Sequence, residues 1–272
     1  MGCPVECQNG GATPGCLARA RRGDVNFPIP AALAEVAPDA PLGVLLERLT
    51  AAERERAAGF AAEKRRHDWI RGRAAAKEAV RARVAQDGGA PPDYGDFEVV
   101  SDPSGAPRVA GLEGAIAVSL THGHGWGAAL ATRPGSGGGL PGVDLERVRP
   151  RPQGTLRFYL HPEERAPLEG LPGGEGEEPG PRDLASIVLW SLKEAAFKAL
   201  VPPRGTGLLD LEVELLDSFD ALTGDARVRT LEGAAARAGL LGVEALHAGW
   251  RREGDLVLAW ALAAGARLPD AG

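Results

Sequence analysis

Hydrophobic and polar positions along this chain repeat with two different periods, and the switches between them mark out helices and strands. Helical spacing runs over 63–86, where Trp69, Ala76, Val80 and Val84 make an apolar stripe and Arg66, Arg73, Lys77 and Arg81 a basic one. Thr50-Ala51-Ala52-Glu53 predicts the start of a shorter helix, because a threonine cap and a glutamate three residues on can each satisfy a free backbone N–H. Further helices are predicted near 155–168 and over 183–200, the second apolar almost all round. Strand-like runs fall at 97–100, 115–120, 126–132, around Asp144, and at 211–216, 226–230, 243–250 and 256–263. Residues 31–49 read as a strand or a short helix.

Each half therefore carries helical material followed by strands, with a Gly/Pro-rich run, 133–142, between the halves. This predicts an α+β protein of two lobes, 25–140 and 141–265, with tails at 1–24 and 266–272 and an acidic loop at 170–181. A chain of 272 residues is long enough for one large core or two ordinary ones.

Composition narrows the function. A hydrophobic fraction of 44% and a charged fraction of 25% are those of a globular protein, and no apolar run approaches the length of a membrane span. A net charge of −6 without a basic block argues against a general nucleic-acid binder. Cys3, Cys7 and Cys16 all lie in the first tail, with no matching set elsewhere, so neither a disulfide framework nor a zinc site is expected. No charged start followed by an apolar core is seen, and a cytoplasmic protein is expected.

Candidate chemistry gathers in two stretches. On the strand Gly142-Val143-Asp144-Leu145-Glu146, alternation puts Asp144 and Glu146 on one face and Val143 and Leu145 on the other. On the helix, Trp190, Glu194 and Lys198 recur every four residues along one side, with Lys193 next to Glu194. Three carboxylates and one or two ammonium groups can thus meet. Hard oxygen donors suit Mg²⁺, and lysines beside a cation suit a substrate carrying phosphates. Taken singly, alternating acids also suit a solvated strand edge, and Glu194–Lys198 an ordinary surface pair. The apolar surroundings of the helix favour a site, since charges on a buried element need partners. His122, where Thr121-His122-Gly123 closes a strand, can donate to a phosphate oxygen or bond a nearby carbonyl. Arg71 and Arg73 can grip phosphates or line a solvated helix face. Arg147, Arg149 and Arg151 can compensate the carboxylates or meet an acidic partner.

In kind and order these motifs resemble the 4′-phosphopantetheinyl transferases of the larger two-lobed, surfactin-activating type. That family's G[IV]D[IVL]E strand stands here as Gly142–Glu146 and its W[ST]xKExxxK helix as Trp190–Lys198. Thr121-His122 matches its S-H pair with threonine for serine, Gly72-Arg73 its GR-containing helix, and Glu53–Arg56, loosely, its E(K/R)xx(K/R) helix start.

The resemblance implies a pseudo-duplicated fold with the active site in the cleft between similar lobes. It implies transfer of the phosphopantetheine arm of coenzyme A to a serine of an acyl, peptidyl or aryl carrier protein by a Mg²⁺-dependent, monomeric enzyme, releasing 3′,5′-adenosine bisphosphate. Asp144, Glu146 and Glu194 would hold the metal, and Glu194 would also take the serine proton, directly or through water. Lys198 would sit at the phosphates, His122 would bond a phosphate, and Arg73, Arg71, Arg56 and Lys193 would complete the coenzyme A contacts. Two rivals are a non-catalytic relative that binds coenzyme A or a carrier protein, and a Mg²⁺-dependent phosphohydrolase.

Overall fold

The computed structural model describes residues 27–135, 139–200, 207–231 and 246–264. The two tails and the cysteines lie outside the described residues. The N-terminal half runs β1 (Ala31–Val36), α1 (Leu42–Glu47), α2 (Ala51–Ala58), α3 (Glu63–Gln86), the hairpin β2 (Glu98–Ser101) and β3 (Pro107–Ala110), then β4 (Ala117–Gly123) and β5 (Trp126–Thr132). The C-terminal half runs β6 (Gly139–Arg147), α4 (Pro162–Glu169), α5 (Pro181–Leu200), β7 (Leu211–Leu215), β8 (Thr223–Thr230), β9 (Leu246–Glu253) and β10 (Leu256–Ala264). No described helix is long and apolar enough to cross a membrane.

The two halves repeat one plan. The sheet orders are β1-β5-β4 and β6-β10-β9-β8-β7, so in each half the first strand pairs with the last and the last with the one before, all antiparallel. One long helix crosses each sheet: α3 packs on β1, β4 and β5, and α5 on β6 and β10. The α+β, two-lobed expectation holds. A third apolar cluster joins the halves, with Ala128 and Leu130 meeting Val143, Leu145, Leu258 and Trp260.

Three local readings change. The helix expected near 155–168 is broken into a 3₁₀ turn, Gln153–Phe158, and α4, whose capping box at His161 and Glu164 starts a fresh helix at Pro162. The Gly/Pro-rich run does not extend to 142, because Gly139–Gly142 already pair with β10 as the first residues of β6. A lobe boundary at 140 therefore cuts into that strand. The hairpin partner β3 carried too short a pattern to be read as a strand.

Three members of the α3 basic stripe, Arg73, Lys77 and Arg81, are engaged by the protein itself. Arg81 bonds Pro92 O, Lys77 Nζ donates to Tyr94 O and Phe97 O at 2.6 Å each, and Arg73 Nη2 reaches Ser101 Oγ at 3.4 Å. The stripe thus holds down the segment 92–101 by filling its carbonyls, which is why so charged a helix can be covered on two sides.

Candidate active site

β6 and α5 build the centre of the site, and glycine decides how closely they approach. A Cβ on Gly142 would overlap the carbonyl oxygen of Ala195, so only glycine lets the helix backbone rest on the strand here. One face of β6 then behaves as alternation predicts. Val143 and Leu145 enter the cluster between the lobes, while Asp144 faces α5. Between Leu184 and Leu200, α5 is buried except at Trp190, Glu194, Phe197 and Lys198. Trp190, Glu194 and Lys198 are the accessible stripe that the four-residue spacing predicts.

Lys198 Nζ lies 2.8 Å from Asp144 Oδ1 and 3.0 Å from Val143 O. Asp144 Oδ2 is buried and has no hydrogen-bond partner among the described residues. The carboxyl of Glu194 is pushed above the usual range, first by burial and then by repulsion from Asp144, with Lys198 opposing. Glu146 is raised for the same two reasons, opposed by Arg151 and Lys198. These mutual effects show three carboxylates crowded together and only partly compensated. No three acidic, histidine or cysteine side chains are arranged as a ready-made cation cage among the described residues. The ammonium of Lys198 occupies Oδ1 of Asp144, which leaves Oδ2 as its unpartnered oxygen. The donor set itself fits a divalent cation: hard carboxylate oxygens, one of them on Asp144 buried and orphaned.

Lys193, which the resemblance put among the coenzyme A contacts, is fully buried, with Nζ 2.6 Å from Glu164 Oε2 and 2.8 Å from Tyr159 O. One residue along a helix is a rotation of about 100°, which turns Lys193 into the core while Glu194 stays accessible.

His122, at the end of β4, comes to the same region from the other lobe. A Cβ on Gly72 would lie 2.8 Å from His122 Cδ2, so the Gly72-Arg73 pair lets the imidazole rest on the α3 backbone. His122 remains exposed on its outer side; partial desolvation against that backbone lowers its pKa below the usual histidine range, Asp68 opposes, and the nearby cations Arg73 and Lys198 add to the fall. The influence of Lys198 on His122 ties the two lobes' contributions to one electrostatic region.

Arg71 and Arg73 part company. Arg71 Nη2 donates to Pro38 O at 2.8 Å, and the side chain lines a cavity with Glu63, Lys64, His67, Asp68 and Gly125. Arg73 is 5% exposed, stacks at 5.0 Å over the Trp69 ring, and has no carboxylate within ion-pair distance among the described residues. Burial lowers its pKa to about 10, with Glu53 opposing and Arg56 adding to the fall. Arg56 is exposed on α2. The arginines beyond β6 also separate: Arg147 pairs with Asp255 at 2.9 Å, Arg149 meets His124 Nδ1 at 3.4 Å, and Arg151 stacks over Trp190 at 5.2 Å.

A two-lobed α+β protein with an acidic site and a lysine on its central aspartate is therefore the class that fold and site define. Residues 141–261, the part of the chain carrying the acidic motifs, match the model of the 4′-phosphopantetheinyl transferase superfamily. The chain is 34% identical over 128 residues to the 4′-phosphopantetheinyl transferase Svp of Streptomyces mobaraensis, a match covering 45% of this chain and 50% of that protein. Among solved structures, a holo-(acyl-carrier-protein) synthase from Bacillus anthracis in complex with CoA (3′,5′-ADP) aligns at 23% identity and a TM-score of 0.32, over 38% of this chain and 93% of that one.

Proposed function

We propose that this protein transfers the 4′-phosphopantetheine group of coenzyme A to a serine hydroxyl of a carrier protein. The observation that carries the reading is the meeting of Asp144, Glu146, Glu194 and Lys198 across Gly142, within the segment that matches the transferase superfamily. The relative Svp bears the same activity in its name.

Asp144, Glu146 and Glu194 would hold Mg²⁺, which supplies charge neutralisation and orientation at a pyrophosphate. Lys198 would exchange Asp144 for a phosphate oxygen once that carboxylate has another cation to bind. Glu194, whose raised proton affinity suits a base, would accept the proton of the serine hydroxyl. The serine oxygen bonds to the phosphorus next to the pantetheine arm, the bond from that phosphorus to the bridging oxygen breaks, and 3′,5′-adenosine bisphosphate leaves. His122 would donate a ring N–H to a phosphate oxygen. Arg73, a buried guanidinium without a carboxylate partner, would meet the remaining anionic end of coenzyme A, with exposed Arg56 nearby. A cytoplasmic monomer is part of the same proposal.

Intact-mass spectrometry of apo acyl, peptidyl and aryl carrier proteins incubated with coenzyme A and Mg²⁺ tests it. A phosphopantetheine adduct is expected on at least one of them. Coenzyme A binding without an adduct on any would point to a non-catalytic relative, and phosphate release without an adduct to a hydrolase; either overturns the reading.

A further inference from the structure

The two lobes contain the same buried clasp. In the C-terminal lobe Glu164 Oε2 accepts from His161 N at 2.8 Å and from Lys193 Nζ at 2.6 Å, while Oε1 accepts from Val213 N at 2.8 Å. In the N-terminal lobe Glu53 Oε2 accepts from Thr50 N at 3.0 Å and lies 3.1 Å from Lys77 Nζ, while Oε1 accepts from Val99 N at 2.9 Å. Each glutamate is the third residue of its helix, each lysine lies mid-way along the long helix, and each backbone donor belongs to the strand that follows it. The lysines also head the same triplet, Lys77-Glu78-Ala79 and Lys193-Glu194-Ala195.

The residues beside the clasps differ. In the C-terminal lobe the residue after the lysine, Glu194, is accessible beside Asp144 and Lys198. In the N-terminal lobe its counterpart Glu78 is occupied by Arg48, at 3.0 Å, and by the Tyr94 hydroxyl. Beside the N-terminal clasp stands Arg73, one helical turn before Lys77, whose Nη2 touches Ser101 at the far end of the β2 strand that Glu53 grips through Val99. Glu53 is also the carboxylate whose charge reaches Arg73, and Arg56 follows it on the next turn of α2. The clasp therefore fixes three elements, α2, α3 and β2, that together set where the buried guanidinium stands.

We propose that the Glu53–Lys77 clasp is a positioning pair for the Arg73 anion site, governing affinity for the phosphate-bearing end of coenzyme A and leaving the bond-making step alone, whereas its twin Glu164–Lys193 serves the chemical step by holding Glu194. The proposal rests on the transferase reading above.

The test compares wild type with Lys77→Met and with Lys77→Met/Glu53→Gln, the second removing both charges so that no ion is left buried alone. Steady-state transfer to carrier protein is measured with coenzyme A and with its 3′-dephospho form, and folding is followed by circular dichroism. KM for coenzyme A is expected to rise about tenfold in both variants, the worth of one misplaced charge-assisted hydrogen bond. kcat should stay within about twofold, and the preference for coenzyme A over the dephospho form should shrink. The mirror variant Lys193→Met/Glu164→Gln should lower kcat and keep that preference. A folded Lys77→Met/Glu53→Gln variant with wild-type KM and preference overturns the proposal, as does a mirror variant that loses the preference equally. A wild type that forms no adduct at all sinks the transferase reading first, and the clasp's role with it.

Discussion

Glu164 and Lys193 meet at 2.6 Å with both side chains out of solvent, although twenty-nine residues and a helix break separate them in sequence. Burial alone pulls the Lys193 ammonium below the usual lysine range, and the adjacent carboxylate opposes that pull. Neither charge can lose its partner cheaply. Lys193→Met should cost about 3–5 kcal/mol of unfolding free energy, because it strands a buried carboxylate. Lys193→Met/Glu164→Gln should recover part of that loss. Urea denaturation of the three proteins checks the order.

Asp144 stands on the other side of the same helix, with one oxygen on Lys198 and the other unpartnered. Asp144→Asn and Glu194→Gln are expected to weaken Mn²⁺ binding, read by electron paramagnetic resonance, and to lower transfer by more than about 100-fold, with the circular dichroism spectrum unchanged. Wild-type Mn²⁺ affinity in both would remove these residues from the metal site.

The raised carboxyls of Glu146 and Glu194 make a pH prediction for the cation-free protein. A carboxyl whose pKa is higher folded than unfolded binds more protons in the folded state between those two values. Stability therefore falls as pH rises from about the ordinary glutamate value, ~4.3, through the raised one. Melting temperatures in EDTA should show this decline, and Glu194→Gln should flatten it and melt higher than wild type at neutral pH. A steeper decline in Glu194→Gln would contradict the assignment.

Two glycines set the spacing of the site, and their alanine variants should fail differently. Gly142→Ala forces a methyl into the Ala195 carbonyl and should destabilise the C-terminal lobe by roughly 1–3 kcal/mol or more. Gly72→Ala gains about 0.5–1 kcal/mol of helix propensity but pushes His122 aside. It should leave the melting temperature near wild type while KM for coenzyme A rises. Thermal melts paired with steady-state kinetics separate the two cases, and a Gly72→Ala enzyme with unchanged KM would detach His122 from coenzyme A.

Local pattern carried much of this protein by itself. The periodicity over 63–86 coincides with α3, the strand-like run over 126–132 with β5, and the capping box at Thr50 and Glu53 forms as the spacing predicts. The faces of Asp144 and of Trp190, Glu194 and Lys198 were also legible, because strand and helix periods are properties of the backbone. The repeated Lys-Glu-Ala triplet was there to be read as well, but only with Glu53 and Glu164 beside it does it signal a clasp. Tertiary structure decided the rest. Lys193 and Lys198 are equally lysines of one motif, and only the packing of α4 and β7 around α5 turns one into the core and leaves the other at Asp144. Arg71 and Arg73 are separated by the loop at Pro38 on one side and by Trp69 and Ser101 on the other. A charged side chain takes its role from whichever partner replaces its water, and those partners lie far away along the chain.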